Sequence, residues 1–166
     1  MHDATTAFAR SSEHPWQHMV GAPRTGPVIC HNDLSPANTI WSSDGAPVFI
    51  DWDLAAPGPP IWDLAYAAYR FVPLYDDAAC ERLGIPVRPR APRLRRFVAA
   101  YGEVDLSELL DTVEGRPVSL VETARAWAEE GRPGWVDVWR DTGGRQWLGS
   151  LDHVRRERAA WLRPES

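Results

Sequence analysis

The sequence contains no lysine, so all 18 of its basic side chains are arginines, which excludes any site built on a lysine ammonium. Its two cysteines, Cys30 and Cys80, are too few for a disulfide framework. The polar N-terminus lacks the apolar core of a signal peptide, and no run approaches the roughly 18 apolar residues of a membrane span. These absences predict a reduced, cytoplasmic compartment and no contact with a membrane.

Apart from these absences, the composition is that of a folded domain. With 166 residues, 44% of them hydrophobic and 25% charged, the chain is long enough for one domain with a proper core. Its net charge of −5 argues against nucleic acid as a partner. The exclusive use of arginine, together with abundant alanine, proline and glycine, suggests a GC-rich bacterial genome.

The side chains best suited to chemistry lie between His31 and Asp53. Asp33 and Asn38 have the D-x-x-x-x-N spacing of a kinase catalytic loop, and His31 precedes Asp33 by two positions. Asp51 follows the apolar run 48–50, where the metal-binding aspartate of such enzymes lies. The combination, rather than any one residue, indicates a phosphotransferase site.

The residue types fit this chemistry. Phosphoryl transfer depends mainly on positioning and on charge neutralisation, because the protein has little covalent work to do. A carboxylate within reach of the attacking hydroxyl accepts its proton, and Asp33 is the candidate for this catalytic base. Magnesium prefers oxygen ligands and keeps several waters, and the predicted metal ligands Asn38 and Asp51 supply one amide and one carboxylate oxygen.

The segment 28–75 resembles the aminoglycoside phosphotransferase and choline kinase-like family, small-molecule relatives of protein kinases. The resemblance implies an α+β, mostly helical fold, namely a protein-kinase-like C-terminal lobe whose short β-hairpin carries the catalytic and metal-binding loops. It also implies transfer of the γ-phosphate of ATP or GTP, with Mg²⁺, to a hydroxyl of an aminoglycoside-like or amino-alcohol-like small molecule. The predicted domains are a poorly ordered segment 1–27 and the lobe itself at 28–166.

Three further residues receive supporting roles. The resemblance makes His31 a prop for the catalytic loop and Asp63, in the Ile61–Tyr66 helix start, a brace for that loop; Asp63 also suits a simple cap of its helix. Asp53 follows Trp52 where protein kinases have Phe-Gly. It is either an additional group near the metal or a hydrogen-bond acceptor that orders the turn.

The sequence departs from the family most strongly in the part that precedes the catalytic loop. Only thirty residues precede the catalytic loop, and they contain neither a glycine-rich phosphate loop nor a lysine. We therefore expect no N-terminal lobe, and three interpretations remain open. The chain is a fragment of a longer enzyme, a stand-alone lobe completed by a partner chain, or a degenerate relative that binds without turnover. A metal-dependent phosphohydrolase using Asp33, Asp51 and Asp53 is a further alternative.

Periodicity and turn residues predict the secondary structure. Short strands at 28–30, 39–41 and 48–50 place Asn38 and Asp51 at one end of a hairpin, and Ala56–Pro60 is a rigid loop. A buried helix follows at 61–72, and 73–91 is a loop. Further helices are expected at 92–101, 105–113, 118–130 and 133–140, with a final helix from Trp147 to Trp161.

The acceptor pocket is not identified by any motif. Asp76, Asp77 and Glu81 suit either a pocket for a cationic acceptor or a solvated loop. Trp127, Trp135 and Trp139 suit either an aromatic box for a quaternary ammonium group or a helix face packed on the core.

Overall fold

The computed structural model of the chain describes residues 1–9, 15–43, 45–102 and 104–164. These residues form seven α-helices and two separate two-stranded antiparallel sheets, so the predicted α+β, mostly helical class is confirmed. The elements are α1 (His2–Ala9), β1 (Val28–Cys30), β2 (Thr39–Trp41), β3 (Pro47–Phe49), β4 (Ala56–Gly58), α2 (Pro60–Phe71), α3 (Asp77–Arg82), α4 (Arg90–Tyr101), α5 (Leu106–Glu129), α6 (Trp135–Thr142) and α7 (Arg145–Trp161).

The hairpin β2–β3 is present as predicted, with β3 one residue earlier than expected. Thr39 pairs with Phe49, and Ile40 pairs with Val48. Because side chains alternate along a strand, Ile40 and Val48 lie on one face and Thr39 and Phe49 on the other. The hairpin thus brings its two open ends, at residues 38 and 50, side by side.

The second sheet corrects a prediction. Residues 56–58, expected to be part of a rigid loop, form β4, which pairs antiparallel with β1 from Val28↔Gly58 to Cys30↔Ala56. All three residues of each strand are buried. Proline and glycine masked the strand in the sequence; here they allow a close approach of backbones, since a Cβ on Gly26 would fall 1.9 Å from the carbonyl carbon of Gly58.

Helix α2 is the central element and confirms the helix predicted at 61–72. Residues 62–69 are all buried. Pro60 at its first turn needs no backbone donor, which is why a proline-rich loop leads directly into the helix. Its main neighbour is α5, so the core lies between these two helices and the side chains of α4 and α7.

Helix α5 is continuous, so the prediction of two helices ending near 113 and restarting at 118 was wrong. Pro117 lies inside the helix and is fully buried. Proline deprives the carbonyl of residue 113 of its usual donor, but packing against α2 compensates for that local cost.

The prediction of a loop over the whole of 73–91 was also wrong in part, because the segment contains α3. Asp76 caps that helix by accepting from the Ala79 N–H at 2.8 Å.

The beginning of the chain contributes to the interior. The segment 1–27, expected to have little order, includes helix α1, and residues 10–14 lie outside the described residues. His2 is buried at 8% exposure and α1 packs on β1. Among the described helices, none combines the length and the hydropathy needed to span a membrane.

Candidate functional site

The candidate site is built on the loop between β1 and β2. Asn32 adopts a left-handed backbone conformation with φ of 67°, which asparagine tolerates better than most residues. A single 3-10 turn at Pro36–Asn38 follows, and its last N–H, from Asn38, donates to the Ser35 carbonyl at 3.0 Å. Pro36 fixes the start of this turn, so the loop holds the candidate side chains of Asp33 and Asn38 on a rigid backbone.

Within this loop Asp33 and Asn38 are directly bonded. The Asn38 amide nitrogen donates to Asp33 Oδ2 at 2.8 Å and to the Asp33 carbonyl at 3.0 Å. Both side chains are half-buried. Since the amide nitrogen faces Asp33, the Asn38 oxygen points away from the carboxylate and is available to a cation.

Asp51 comes to the same place through the hairpin. The Ile50 N–H donates to the Asn38 carbonyl at 3.1 Å, which extends the β2–β3 ladder to the end where Asp51 follows. Asp51 is exposed and has φ of 64°, a left-handed conformation that turns the chain sharply after the strand. One strained residue thus directs a carboxylate to the hairpin end that carries Asn38.

The donor set fits magnesium rather than a transition metal. Across the described residues no cluster of three or more histidine, cysteine, aspartate or glutamate side chains could hold a metal ion. Asn38, which is half-buried, and Asp51, which is exposed, are the residues that would hold such an ion, through one amide and one carboxylate oxygen. This suits an ion that keeps several waters and completes its shell with phosphate oxygens.

His31 is fully buried and ties the two loops together. Its Nε2 donates to the Ile50 carbonyl at 2.9 Å, while its Nδ1 accepts from the Asp33 N–H at 3.3 Å. These partners require the neutral imidazole with the proton on Nε2. The ring also lies 4.6 Å from the Trp52 ring, centre to centre. Both nitrogens are therefore engaged in holding the backbone on either side of the site.

Asp63, at the start of α2, is fully buried and bonds to the catalytic loop from beneath. Its carboxylate accepts from the backbone N–H groups of His31 and Asn32, both at 2.9 Å, and from His2 Nε2 at 3.1 Å. Burial alone would raise the pKa of Asp63, but these hydrogen bonds together hold it below the usual range. Asp63 thus remains ionised and fixes the residues just before Asp33.

Arg116 is a site residue that the sequence analysis missed. It is completely buried on α5, donates to the Asn32 carbonyl, and its guanidinium lies 4.6 Å and 4.7 Å from the ring centres of Trp62 and Tyr66. Burial lowers its pKa, although the nearby Asp63 and Asp33 charges oppose that effect. A signal was available, because Arg116 shares a helical face with the buried Leu109, Val113 and Leu120.

Two further residues near the loop, Tyr66 and Asp53, differ in their burial and in their contacts. Tyr66 is buried, and burial together with the negative charge of Asp33 raises its pKa well above the usual range, so it stays a neutral phenol. Asp53 is exposed, and among the described residues its carboxylate makes no hydrogen bond. The turn at 52–55 is closed instead by the Ala55 N–H, which donates to the Trp52 carbonyl at 2.9 Å.

Comparison with known proteins defines the class of this site. The phosphotransferase enzyme family, APH, matches residues 6–109, more than half of the chain and the part that contains the loop, the hairpin and α2. The chain belongs to this family, which confirms the resemblance drawn from its motifs. Family membership also implies that the helical body is a kinase-like lobe.

One curated relative is similar over part of the chain. The chain is 36% identical over 106 residues to the trifolitoxin immunity protein of Rhizobium leguminosarum bv. trifolii. That alignment covers 61% of this chain and 40% of the relative, so the match spans well under half of the relative's length. No solved structure matches the chain significantly.

Proposed function

We propose that this chain carries the catalytic and magnesium-binding half of a phosphotransferase. In this proposal it moves the γ-phosphate of ATP or GTP to a hydroxyl of a small molecule. Asp33 acts as the base that accepts the hydroxyl proton, and Asn38 and Asp51 hold Mg²⁺. When bound, the ion would neutralise charge on the phosphate oxygens.

The observation that carries the proposal is the 2.8 Å bond between Asn38 Nδ2 and Asp33 Oδ2. The bond joins the residue proposed to accept the proton, Asp33, to the residue proposed to bind the metal, Asn38. The amide holds one carboxylate oxygen of Asp33, and in this proposal the other oxygen accepts the proton of the attacking hydroxyl. In this proposal the Asn38 oxygen binds the ion together with Asp51, which follows Ile50, and the Ile50 N–H donates to the Asn38 backbone carbonyl at 3.1 Å. Such fixed positioning supplies most of the rate in phosphoryl transfer.

The hairpin offers a surface for the nucleotide beside these ligands. Ile40, Val48 and Ile50 share the face that continues from Asn38, and they are 53%, 49% and 38% exposed. Exposed aliphatic side chains next to a phosphate site can cover one side of a purine ring. Contacts from the other side would come from another part of a longer protein or from a partner chain.

The acceptor is proposed only as a hydroxyl compound. The aminoglycoside-like and amino-alcohol-like classes expected from the sequence rest on the resemblance. The name of the similar immunity protein adds a toxin as another class of acceptor to test, in which phosphorylation would be the protective chemistry.

The experiment is a transfer assay with radiolabelled ATP or GTP, Mg²⁺ and a panel of hydroxyl compounds. Asp33→Asn should reduce acceptor-dependent transfer by a factor of about 100 or more, because a positioned base contributes roughly that much. Asp53→Asn is the matched control, since it removes a nearby exposed carboxylate that bonds to no described residue, and it should retain most activity. Equal transfer by Asp33→Asn and the parent chain would refute the assignment.

A non-catalytic nucleotide-binding module is the second candidate. It is favoured by the 40% coverage of the relative, because a site on half of a protein can bind without completing a reaction. Magnesium-dependent nucleotide binding without transfer to any acceptor would support this candidate. Phosphate release without an acceptor would instead support the hydrolase that uses Asp33, Asp51 and Asp53.

A further inference from the structure

A cavity of about 420 Å³ lies between the end of α2, helix α3 and the start of α7. It is distinct in its lining from the hairpin and from the residues that hold the metal in the proposed function. Three arginines contribute to its wall, one from each helix: Arg70, Arg82 and Arg145. Their convergence is the feature that sets this cavity apart.

The charge of the cavity is opposite to that of the chain. In the described part of the chain none of these three arginines takes part in an ion pair. The acidic residue in the wall is Asp76, and its Oδ1 already accepts from the Ala79 N–H at 2.8 Å. A chain with a net charge of −5 therefore presents a cavity with three guanidinium groups against one carboxylate.

Arg70 is the inner member of this group and is held in place by aromatic rings. Its guanidinium carbon lies 5.9 Å from the ring centre of Tyr66 and 6.0 Å from that of Tyr75. Its Nε is buried, and within the described residues that N–H has no hydrogen-bond acceptor. A buried guanidinium donor without an acceptor is costly, and an oxyanion bound by the Arg70 guanidinium would offset part of that cost.

The same residue connects the cavity to the catalytic loop. Burial lowers the pKa of Arg70, but the neighbouring tyrosines and the charge of Asp33 outweigh burial and raise it. Arg70 is thus fully charged and within electrostatic reach of Asp33.

We propose that this cavity binds an oxyanion group of the acceptor, a carboxylate or a phosphate, with Arg70 at its inner end and Arg82 and Arg145 at its mouth. The inference rests on the proposed function and narrows its substrate class. The acceptor then carries a negative group as well as the hydroxyl that Asp33 deprotonates. Arginine suits this role because its planar donors match both anions in a paired geometry.

The acidic cluster at 76–81 does not provide the alternative pocket for a cation. Asp76 caps α3, and Asp77 pairs with Arg90 Nη1 at 2.8 Å. Glu81 is exposed. Two of the three carboxylates are therefore engaged within the protein, and a purely cationic acceptor would meet the arginines instead.

The test is calorimetric titration of the whole chain with inorganic phosphate and, separately, with malonate, at constant ionic strength and without nucleotide. Saturable binding is expected. The double variant Arg82→Gln, Arg145→Gln should weaken it at least tenfold, and it keeps the buried Arg70 that packs on the tyrosines. Arg96→Gln is the matched control, because Arg96 is exposed on α4 and outside the cavity, and it should bind like the parent chain. The probe that binds more tightly, phosphate or malonate, shows whether the cavity prefers a phosphate or a carboxylate.

Two further variants separate this inference from the proposed function. Asp51→Asn should leave phosphate binding unchanged, because the metal ligand is not part of the cavity. Loss of phosphate binding in Asp51→Asn, or equal binding by the double arginine variant and the parent chain, would overturn the inference. Normal phosphate binding in a chain that never binds magnesium-nucleotide would support the oxyanion site and count against the proposed function alone.

Discussion

Asn38 and Asp33 are joined by a 2.8 Å hydrogen bond from the amide nitrogen to the carboxylate. The bond limits how each side chain can act, because it engages Oδ2 of Asp33 and the nitrogen, rather than the oxygen, of the Asn38 amide. A loop of eight residues, 31–38, thereby holds the proposed base and the proposed metal ligand with little freedom. The backbone partners of the loop, Asp63 and Arg116, explain why that arrangement is rigid.

Asn38→Asp should alter the pH dependence of transfer. The substitution keeps an oxygen ligand but removes the donor to Asp33 and places a second carboxylate beside it. Two adjacent carboxylates resist joint ionisation, so the pKa of the pair should rise and the transfer rate should fall on the acid side. The measurement is kcat against pH for the parent chain and the variant. Superimposable profiles would show that the bond has no part in the reaction.

Asp63→Asn should destabilise the protein by about 1–3 kcal/mol at neutral pH, because backbone donors at His31 and Asn32 would lose a charged acceptor. The depressed pKa of Asp63 gives this effect a pH dependence. A carboxylate with a lowered folded pKa stabilises above its unfolded pKa of about 3.9, and that stabilisation disappears as the pH falls through the folded value.

Urea unfolding of the parent chain and Asp63→Asn checks this expectation. The difference between their free energies of unfolding should be full at pH 7 and should shrink below about pH 4. A difference that stayed constant across this range would mean that the ionised carboxylate is not what stabilises the loop.

Arg116→Met should change the free energy of unfolding little but lower the rate of transfer. Replacing a buried guanidinium by an apolar side chain of similar length is often neutral or stabilising, so the free energy of unfolding should change by less than about 2 kcal/mol. Transfer should nevertheless fall, by a factor of about ten or more, because the Asn32 carbonyl loses its donor and the residue before Asp33 can move. Denaturant unfolding beside kcat measures both. An active, equally stable variant would limit Arg116 to packing.

Gly26→Ala tests the close approach beside the β1–β4 sheet, and Gly149→Ala, in α7, is its control. At Gly26 the added Cβ collides with the Gly58 backbone at 1.9 Å, so the strand that leads into His31 should separate from β4. A loss of more than about 2 kcal/mol is expected.

At Gly149, inside α7, the added Cβ meets no described atom within 4 Å. Alanine there should stabilise the chain by about 0.5–1 kcal/mol, since glycine is a poor helix former. Thermal melts of both variants compare the two sites, and similar shifts in both would refute the close approach at Gly26.

The parts of the fold that the sequence predicted are those with local signals. The apolar segments 39–41 and 48–50 predicted the hairpin, and the apolar helical stretch 61–72 predicted α2. The interruption at 115–117 misled the prediction for α5, because tertiary packing retained a helix that local propensity would end. Strand β4 was missed because its pairing with β1 is a long-range event, invisible in an Ala-Pro-Gly sequence.

The site residues divide in the same way, into those with a local sequence signal and those without one. The spacing of Asp33, Asn38 and Asp51 follows from short segments and could be recognised in the sequence. Arg116 and Arg70 act through elements that meet only in the folded chain, and a charged residue in a helix is usually solvated. His2 reaches Asp63 across 61 positions, a contact that no local pattern predicts.

The central claim is that Asn38 and Asp51 provide a magnesium-dependent nucleotide site on this chain. A thermal melt with and without magnesium-ATP, in the parent chain and in Asp51→Asn, tests it directly. A ligand that binds only the folded state stabilises it by about 2.7 kcal/mol at a hundredfold excess over its Kd. The account predicts a rise in Tm that requires magnesium and disappears in Asp51→Asn, while Asp53→Asn retains it. An equal rise in Asp51→Asn, or no rise in the parent chain at saturating nucleotide, would contradict it.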